Sequence, residues 1–282
     1  MSDHPLTIRT MMPDELSLAI DWARQEGWNP GLHDATTFYT ADPNGFFIGE
    51  IKDQPVAVGS AVIYDSSYAF CGLYVVSPKD RGKGYGMALT KHRLNYCQDR
   101  NIGIDGVLEN VSIYENIGYK PYYENRRYQF IAKAPQSISP SIVPLARIES
   151  APLLRYDRQC FPAAREQFLN HWVSQPDSLA LAYQEQGELR GYLVRRRCHQ
   201  GHKIGPLFAD TPDIAEKLLQ AAQQGICGEP LILDAPEINQ EAQQIARQYG
   251  MNCIFATARM YQKGQPKLAD HKIFGITSFE LG

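Results

Sequence analysis

The segment Arg81-Gly82-Lys83-Gly84-Tyr85-Gly86 constrains this chain more than any other. It follows a strand-like run over 68–76 and opens a helical run that continues to about residue 100. Alternating glycines carry no Cβ, so successive backbone N–H groups can converge on an anion beside a helix N-terminus bearing about +0.5 charge. A helix cap needs one glycine, and three in alternation read as a pyrophosphate cradle. A Walker loop is excluded, because Met87-Ala88 stand where Lys-Ser/Thr would follow Gly86. A dinucleotide turn is also disfavoured, since the spacing is G-x-G-x-G behind an antiparallel meander.

Hydrophobic spacing organises the rest of the first half. Residues 13–26 place Leu16, Ala19, Ile20 and Ala23 on one helical face, with Gly27 where a C-terminal cap belongs. Strands are expected over 46–51, 56–64 and 68–76, then over 104–108 and 122–131, with a short helix over 112–116 between the last two. Residues 133–146, KAPQSISPSIVPLA, hold three prolines and suit neither a helix nor a central strand. That seam divides the 282 residues into 1–132, a 133–146 connector and 147–282. The second half repeats the order more faintly: helix 164–173, strands 179–183, 191–197 and 204–208, a helix opened by Thr211-Pro212, strand 231–233, helix 239–249 and strand 253–261. The expected class is α/β (α+β), two tandem domains, each a mixed, mainly antiparallel sheet flanked by helices.

With 28 Lys plus Arg against 31 Asp plus Glu, the net charge of -3 supplies no cationic field for nucleic acid. No run approaches the ~20 apolar residues of a membrane span, and MSDHPLTIRTMMPDEL lacks the core of a signal peptide. The expectation is a cytoplasmic protein with no membrane or nucleic-acid partner. Six scattered cysteines form no C-x-x-C pair and read as reduced thiols. Cys198-His199-Gln200-Gly201-His202 reads as a polar hairpin turn, because a zinc site needs further ligands, and Arg195-Arg196-Arg197 reads as a solvated face.

Val76 to Gly86, as V-x-P-x-x-R-G-x-G-x-G, resembles the acetyl-CoA loop of the GNAT N-acetyltransferase superfamily. Tyr114-Glu115-Asn116-Ile117-Gly118-Tyr119 is similar to that superfamily's Y-E-x-x-G-[FY] segment. The resemblance implies acetyl-CoA as cosubstrate, without a metal, held by Leu73, Tyr74, Val75, Val76, Arg81, Gly82, Lys83, Gly84, Tyr85, Gly86 and Met87. It offers Tyr114 as the acid that protonates the departing thiolate, against the alternative of a tyrosine anchored in the core. Members often carry a glutamate on the strand before the loop, but Phe70-Cys71-Gly72-Leu73-Tyr74 holds no acid. Glu109 or a water-mediated route is left for the base. Cys71 could be acylated, although its alternation suggests burial.

After the first helix, where GNAT proteins build an acceptor wall, Trp28 offers a flat contact and Asn29 and Asp34 offer polar groups for a cationic amine. The same stretch also reads as a Gly/Pro turn with the tryptophan folded beneath. In the second half, Ala209-Asp210-Thr211-Pro212 lacks the arginine and the glycines, so one CoA site per chain is expected. Asp234 and Glu237, after a strand, are candidates to help hold the amine. Together with K-I-G-P-L-F-A-D, L-D-A-P-E-I-N and F-G-I-T-S-F-E-L-G, the arrangement resembles bacterial GNAT proteins with an appended acetyltransferase-like domain. The function implied is direct acetyl transfer from acetyl-CoA to a small-molecule amine; the alternative is a CoA-binding sensor or scaffold.

Overall fold

A computed structural model of the chain describes residues 5–282. Strand β1 (Thr7–Thr10) leads to helix α1 (Leu16–Gln25), whose buried Leu16, Ala19, Ile20 and Ala23 recur at the helical spacing. Helix α2 (Asp34–Tyr39) precedes the meander β2 (Phe46–Ile51), β3 (Gln54–Ile63) and β4 (Tyr68–Val76). Helix α3 (Tyr85–Cys97) crosses to β5 (Asn101–Val107), parallel to β4, and helix α4 (Val111–Asn116) returns to the long strand β6 (Lys120–Ile131).

The second half opens with β7 (Ile142–Pro144) and helices α5 (Ser150–Cys160) and α6 (Glu166–Trp172). A second meander follows: β8 (Ser178–Glu185), β9 (Glu188–Arg197) and β10 (His202–Ala209). Helix α7 (Pro212–Ala221) crosses to β11 (Pro230–Pro236), parallel to β10; helix α8 (Gln240–Gln248), strand β12 (Asn252–Tyr261) and the short β13 (Ile273–Gly275) complete the chain.

Five elements go beyond the sequence reading: β1, α2, α5, β7 and β13. The connector differs too, because Ile142–Pro144 pair with β8 as the sheet's outermost strand, where a missing proline donor costs no ladder bond. The larger difference is in the sheet. Its order is β1-β2-β3-β4-β5-β12-β6-β11-β10-β9-β8-β7, so the two expected sheets are one. Strand β12 lies between β5 and β6, and β6 lies between β12 and β11. Each half sends its long final strand into the other.

The helices form layers on both faces. Residues of α1, α2, α5 and α6 share one apolar cluster across both halves, where Phe38 stacks on Trp172 at 5.9 Å between ring centroids. On the opposite face α3 and α4 cover the first half, while α7 and α8 cover the second. Buried Trp172 donates Nε1–H to the Gly205 carbonyl at 2.8 Å. Arg196 lies over its ring at 4.5 Å and pairs with buried Asp34 at 2.9 Å, so the three-arginine run is not wholly solvated: β alternation turns its middle member inward. Among the described residues no helix is long and apolar enough to cross a membrane, and no group of three or more His, Cys, Asp or Glu could hold a metal ion.

Candidate active site

Strands β4 and β5 pair only at Tyr68↔Asn101, Ala69↔Ile102 and Phe70↔Gly103, and then part. A bulge in β4 accompanies the parting: Ser60 faces Gly72 and Val58 faces Val75, so Leu73 and Tyr74 together oppose Gly59. Leu73 takes a left-handed φ of 44°, an unfavourable setting for a branched side chain. The extra residue reverses the strand's alternation. Ala69 and Cys71 face the α3 side; beyond the bulge Tyr74 and Val76 face that side, while Leu73 and Val75 face α1. A cavity of about 570 Å³ fills the gap and reaches both faces of the sheet.

Leu73, Tyr74, Val75, Val76, Arg81 and Met87 line this cavity. Residues 82–86 make the turn into α3, outside the lining, and their three glycines have different jobs. Gly82 and Gly84 adopt left-handed φ of 77° and 86° with open space beside them, whereas a Cβ on Gly86 would collide with the Tyr74 hydroxyl. Two glycines thus shape the backbone and the third admits a neighbour. No side chain caps α3, and its first intrahelical bond is Ala88 N–H to the Gly84 carbonyl at 3.1 Å. The earlier amides have no intrahelical acceptor and point outward. Arg81 braces the turn, donating to the Val76 carbonyl at 3.1 Å and to Glu26 at 2.5 Å. Lys83 binds Asp80 at 2.8 Å and holds that carboxyl below its usual range.

Tyr114 also lines the cavity, its ring against Gly106 of β5, where a Cβ would lie 2.5 Å from the ring. Burial pushes its hydroxyl pKa up, so it stays protonated through the neutral range, as a proton donor must. Cys71 sits on the cavity wall, buried. A hydrogen bond with Cys97, with the Arg93 charge in support, draws its thiol down.

The other expected site residues divide. Trp28 lines the cavity, and its backbone carbonyl accepts from Arg127 at 2.8 Å and Lys203 at 3.2 Å. Asn29 does not reach the cavity, because both ends of its amide are bound to the Gln200 backbone, at 2.9 and 3.0 Å. Asp34 is spent on the Gly31 N–H at 2.7 Å and on Arg196. Asp234 forms a bidentate pair with Arg127 at 2.7 and 2.8 Å; burial pushes its carboxyl up, but the charge and hydrogen bonds of Arg127, with the charges of Lys203 and Arg196, together hold it low. Neither buried carboxylate lines the cavity, as expected where a buried charge must be matched by a partner. Glu237 pairs with Arg126 at the surface, and Glu109 is exposed outside the lining.

What the sequence reading missed comes mostly from the exchanged strand and the tail. Phe255 and Thr257 of β12, then Phe279 and Glu280, form the far wall. The tail runs close over β4, where a Cβ on Gly72 would collide with the Glu280 carbonyl. Tyr64 donates to the Leu281 carbonyl at 2.8 Å, Leu281 N–H to Ser278 at 3.1 Å, and Ile276 N–H to the Asp234 carbonyl at 2.9 Å. Glu280 is 2% exposed, and neither carboxylate oxygen meets a donor among the described residues. Asp105 and Glu26 are further missed acids in the lining; the Asp105 oxygens are taken by Asn125 at 2.7 Å and Arg259 at 2.7 and 3.0 Å, and Glu26 holds Arg81.

In the second half β10 and β11 also pair over three residues, His202 to Ile204, and then part. Gly205 and Pro206 together oppose Val194, a bulge matching that in β4. Here β13 fills the gap, with Gly275 against Leu207 and Ile273 against Phe208. The loop before α7 offers no free turn either, since Thr211 accepts the Ile214 N–H at 3.3 Å.

Residues 14–125 match the model of the Acetyltransferase (GNAT) family, and residues 153–275 match that of an Acetyltransferase (GNAT) domain. The chain is 30% identical over 270 residues to a holothin acyltransferase from Pseudoalteromonas sp. (strain SANK 73390), covering 95% of this chain and 92% of that protein. Its fold is similar to a putative acetyltransferase from Pyrococcus horikoshii, with a TM-score of 0.85, 20% identity and 100% and 98% of the two chains covered. A tandem GNAT protein from the clavulanic acid biosynthesis pathway is also similar, with a TM-score of 0.64, 11% identity and 91% and 98% covered. The open gap beside an uncapped helix turn, repeated in a closed form, thus has its family: the chain is a GNAT acyltransferase of N-acetyltransferase type with a second, C-terminal GNAT domain.

Proposed function

We propose that this chain transfers an acetyl group from acetyl-CoA directly to the amine of a small molecule. The observation that carries the reading is that Arg81 and Met87, on either side of the uncapped turn into α3, line the β4–β5 gap. Gly82 and Gly84 leave that turn open for a pyrophosphate, and the helix N-terminus favours its charge. The edge of β4 left unpaired by β5 offers backbone groups to the amides of a pantetheine arm. Acetyl-CoA supplies the activated carbonyl; Tyr114 stands on the same wall with a proton to give the departing thiolate. The relative's name, holothin acyltransferase, supports acyl transfer to a small molecule.

In this reading residues 1–132 hold acetyl-CoA, 133–146 connect, and 147–282 complete the far wall without binding CoA. The protein works in the cytoplasm, without a metal and without a membrane or nucleic-acid partner. Calorimetry with acetyl-CoA, followed by free-thiol release with a panel of primary amines, tests it. Binding and thiol release that depend on the amine are expected. Acetyl-CoA binding with no release by any amine would favour a CoA-binding sensor or scaffold instead.

A further inference from the structure

Strand β4 has no acid of its own where the gap opens, and the tail brings one to that place. We propose that Glu280 receives the acceptor amine and takes its proton, a role that rests on the acyl-transfer reading above.

Three carboxylate residues among those described line the cavity, and two are already committed. Glu26 holds Arg81 at 2.5 Å, and Asp105 is bound by Arg259, Asn125 and, at 3.4 Å, Thr257. Glu280 is the third, buried, and both its oxygens lack a donor among the described residues. A buried carboxylate without a partner is costly, and such groups persist where a ligand completes them.

The surroundings hold Glu280 without neutralising it by contact. Arg127, Arg196 and Lys203 all act on it through space, but Arg127 is bidentate to Asp234, and Arg196 is bound to Asp34 through Nε and Nη2, its Nη1 meeting no acceptor among the described residues. Lys203 donates to the Trp28 carbonyl, and burial, with Arg127 adding, lowers its pKa and weakens its claim on the carboxylate. The tail itself cannot drift, because Gly72 lets it lie against β4 and the Tyr64 and Asp234 bonds pin it on either side.

Trp28, Leu73, Val75, Phe255 and Phe279 surround this part of the cavity with apolar surface, so the acceptor is a primary amine on an apolar or aromatic skeleton with no anion of its own. As its nitrogen forms the C–N bond, the thioester C–S bond breaks. The nitrogen's proton passes to Glu280 directly or through one water, CoA leaves as thiolate, and the Tyr114 hydroxyl protonates it. The products are the amide and CoA thiol; Glu280 returns its proton to solvent and the Tyr114 phenolate regains one from it.

The test compares the full chain with Glu280→Gln and Glu280→Asp. Calorimetry on acetyl-CoA-bound protein measures benzylamine and tryptamine against benzyl alcohol and indole-3-ethanol, and thiol release is followed in parallel. The full chain is expected to prefer each amine over its alcohol, and Glu280→Gln to lose that preference while binding acetyl-CoA as before. Amine-dependent kcat/KM should fall about 100-fold or more in Glu280→Gln, with partial recovery in Glu280→Asp. An amine preference absent from the full chain, or surviving in Glu280→Gln, overturns the proposal; so does loss of acetyl-CoA binding in both variants, which would make Glu280 a structural residue. If the amine preference depends on Glu280 but thiol is never released, the proposal stands as a binding site and the acyl-transfer reading fails.

Discussion

The two halves contain the same gap and use it in opposite ways. In each, a bulge after three paired residues prises a parallel strand pair apart. The first gap is an open cavity beside an uncapped helix; the second is filled by β13 beside a helix capped by Thr211. Their closing helices differ in the same sense. Tyr114 and Ala246 each stand four residues before a left-handed glycine, Gly118 and Gly250, and their carbonyls accept equivalent bonds from Tyr119 and Met251. A hydroxyl stands in one half where a methyl stands in the other. Geometry alone therefore does not make a cavity: the fold opens the strands in both halves, and local residues decide whether the space stays open or the chain itself fills it.

The comparison can be broken most directly at Tyr114. Tyr114→Phe, which leaves the first half without a hydroxyl here as the second is, should lower kcat about 100-fold while acetyl-CoA affinity stays within about twofold; full activity would remove the hydroxyl from the chemistry. Gly84→Val forces a β-branched residue into φ 86°, which should cost acetyl-CoA about tenfold or more in affinity, read by calorimetry. Unchanged affinity there would detach the glycine loop from CoA.

Finer distinctions come from the bulges. A Cβ at Gly72 would strike the Glu280 carbonyl, and one at Gly205 the Thr277 carbonyl. Gly205→Ala should cost about 1–3 kcal/mol of stability, read as a lower Tm, by loosening the plug. Gly72→Ala should cost a similar amount but lose proportionately more activity, because it moves the wall of the open cavity. Equal activity per folded molecule in both variants would erase the difference between the gaps. The smallest effect is expected from Thr211→Ala, about 1 kcal/mol of stability with no change in acetyl-CoA binding.

Local pattern carried much of this into view. The strands Phe46–Ile51 and Tyr68–Val76, the loop from Arg81 and the helix holding Tyr114 are each written in a few neighbouring residues. Asp34 and Asp234 looked like free acids for the same reason, since their partners Arg196 and Arg127 lie 162 and 107 positions away. Nothing in hydrophobic spacing tells which strand a long final strand will choose as neighbour, so the exchange of β6 and β12 was hidden. One signal for Glu280 did exist: Gly72, isolated inside a strand, marks a close backbone approach, although it does not say whose.

The exchange has a consequence in time. Thr257 and Phe255 wall the first cavity, and β12 completes the sheet on the free side of β5. A growing chain that has emerged only as far as residue 132 carries the whole glycine loop, yet both neighbours of β6 are still to be synthesised. Non-local pairing of this kind slows folding and leaves strand edges exposed meanwhile. The far wall of the cavity is thus among the last parts to assemble on the ribosome, and two fragments cut within 133–141 are expected to regain the cavity only when they are folded together.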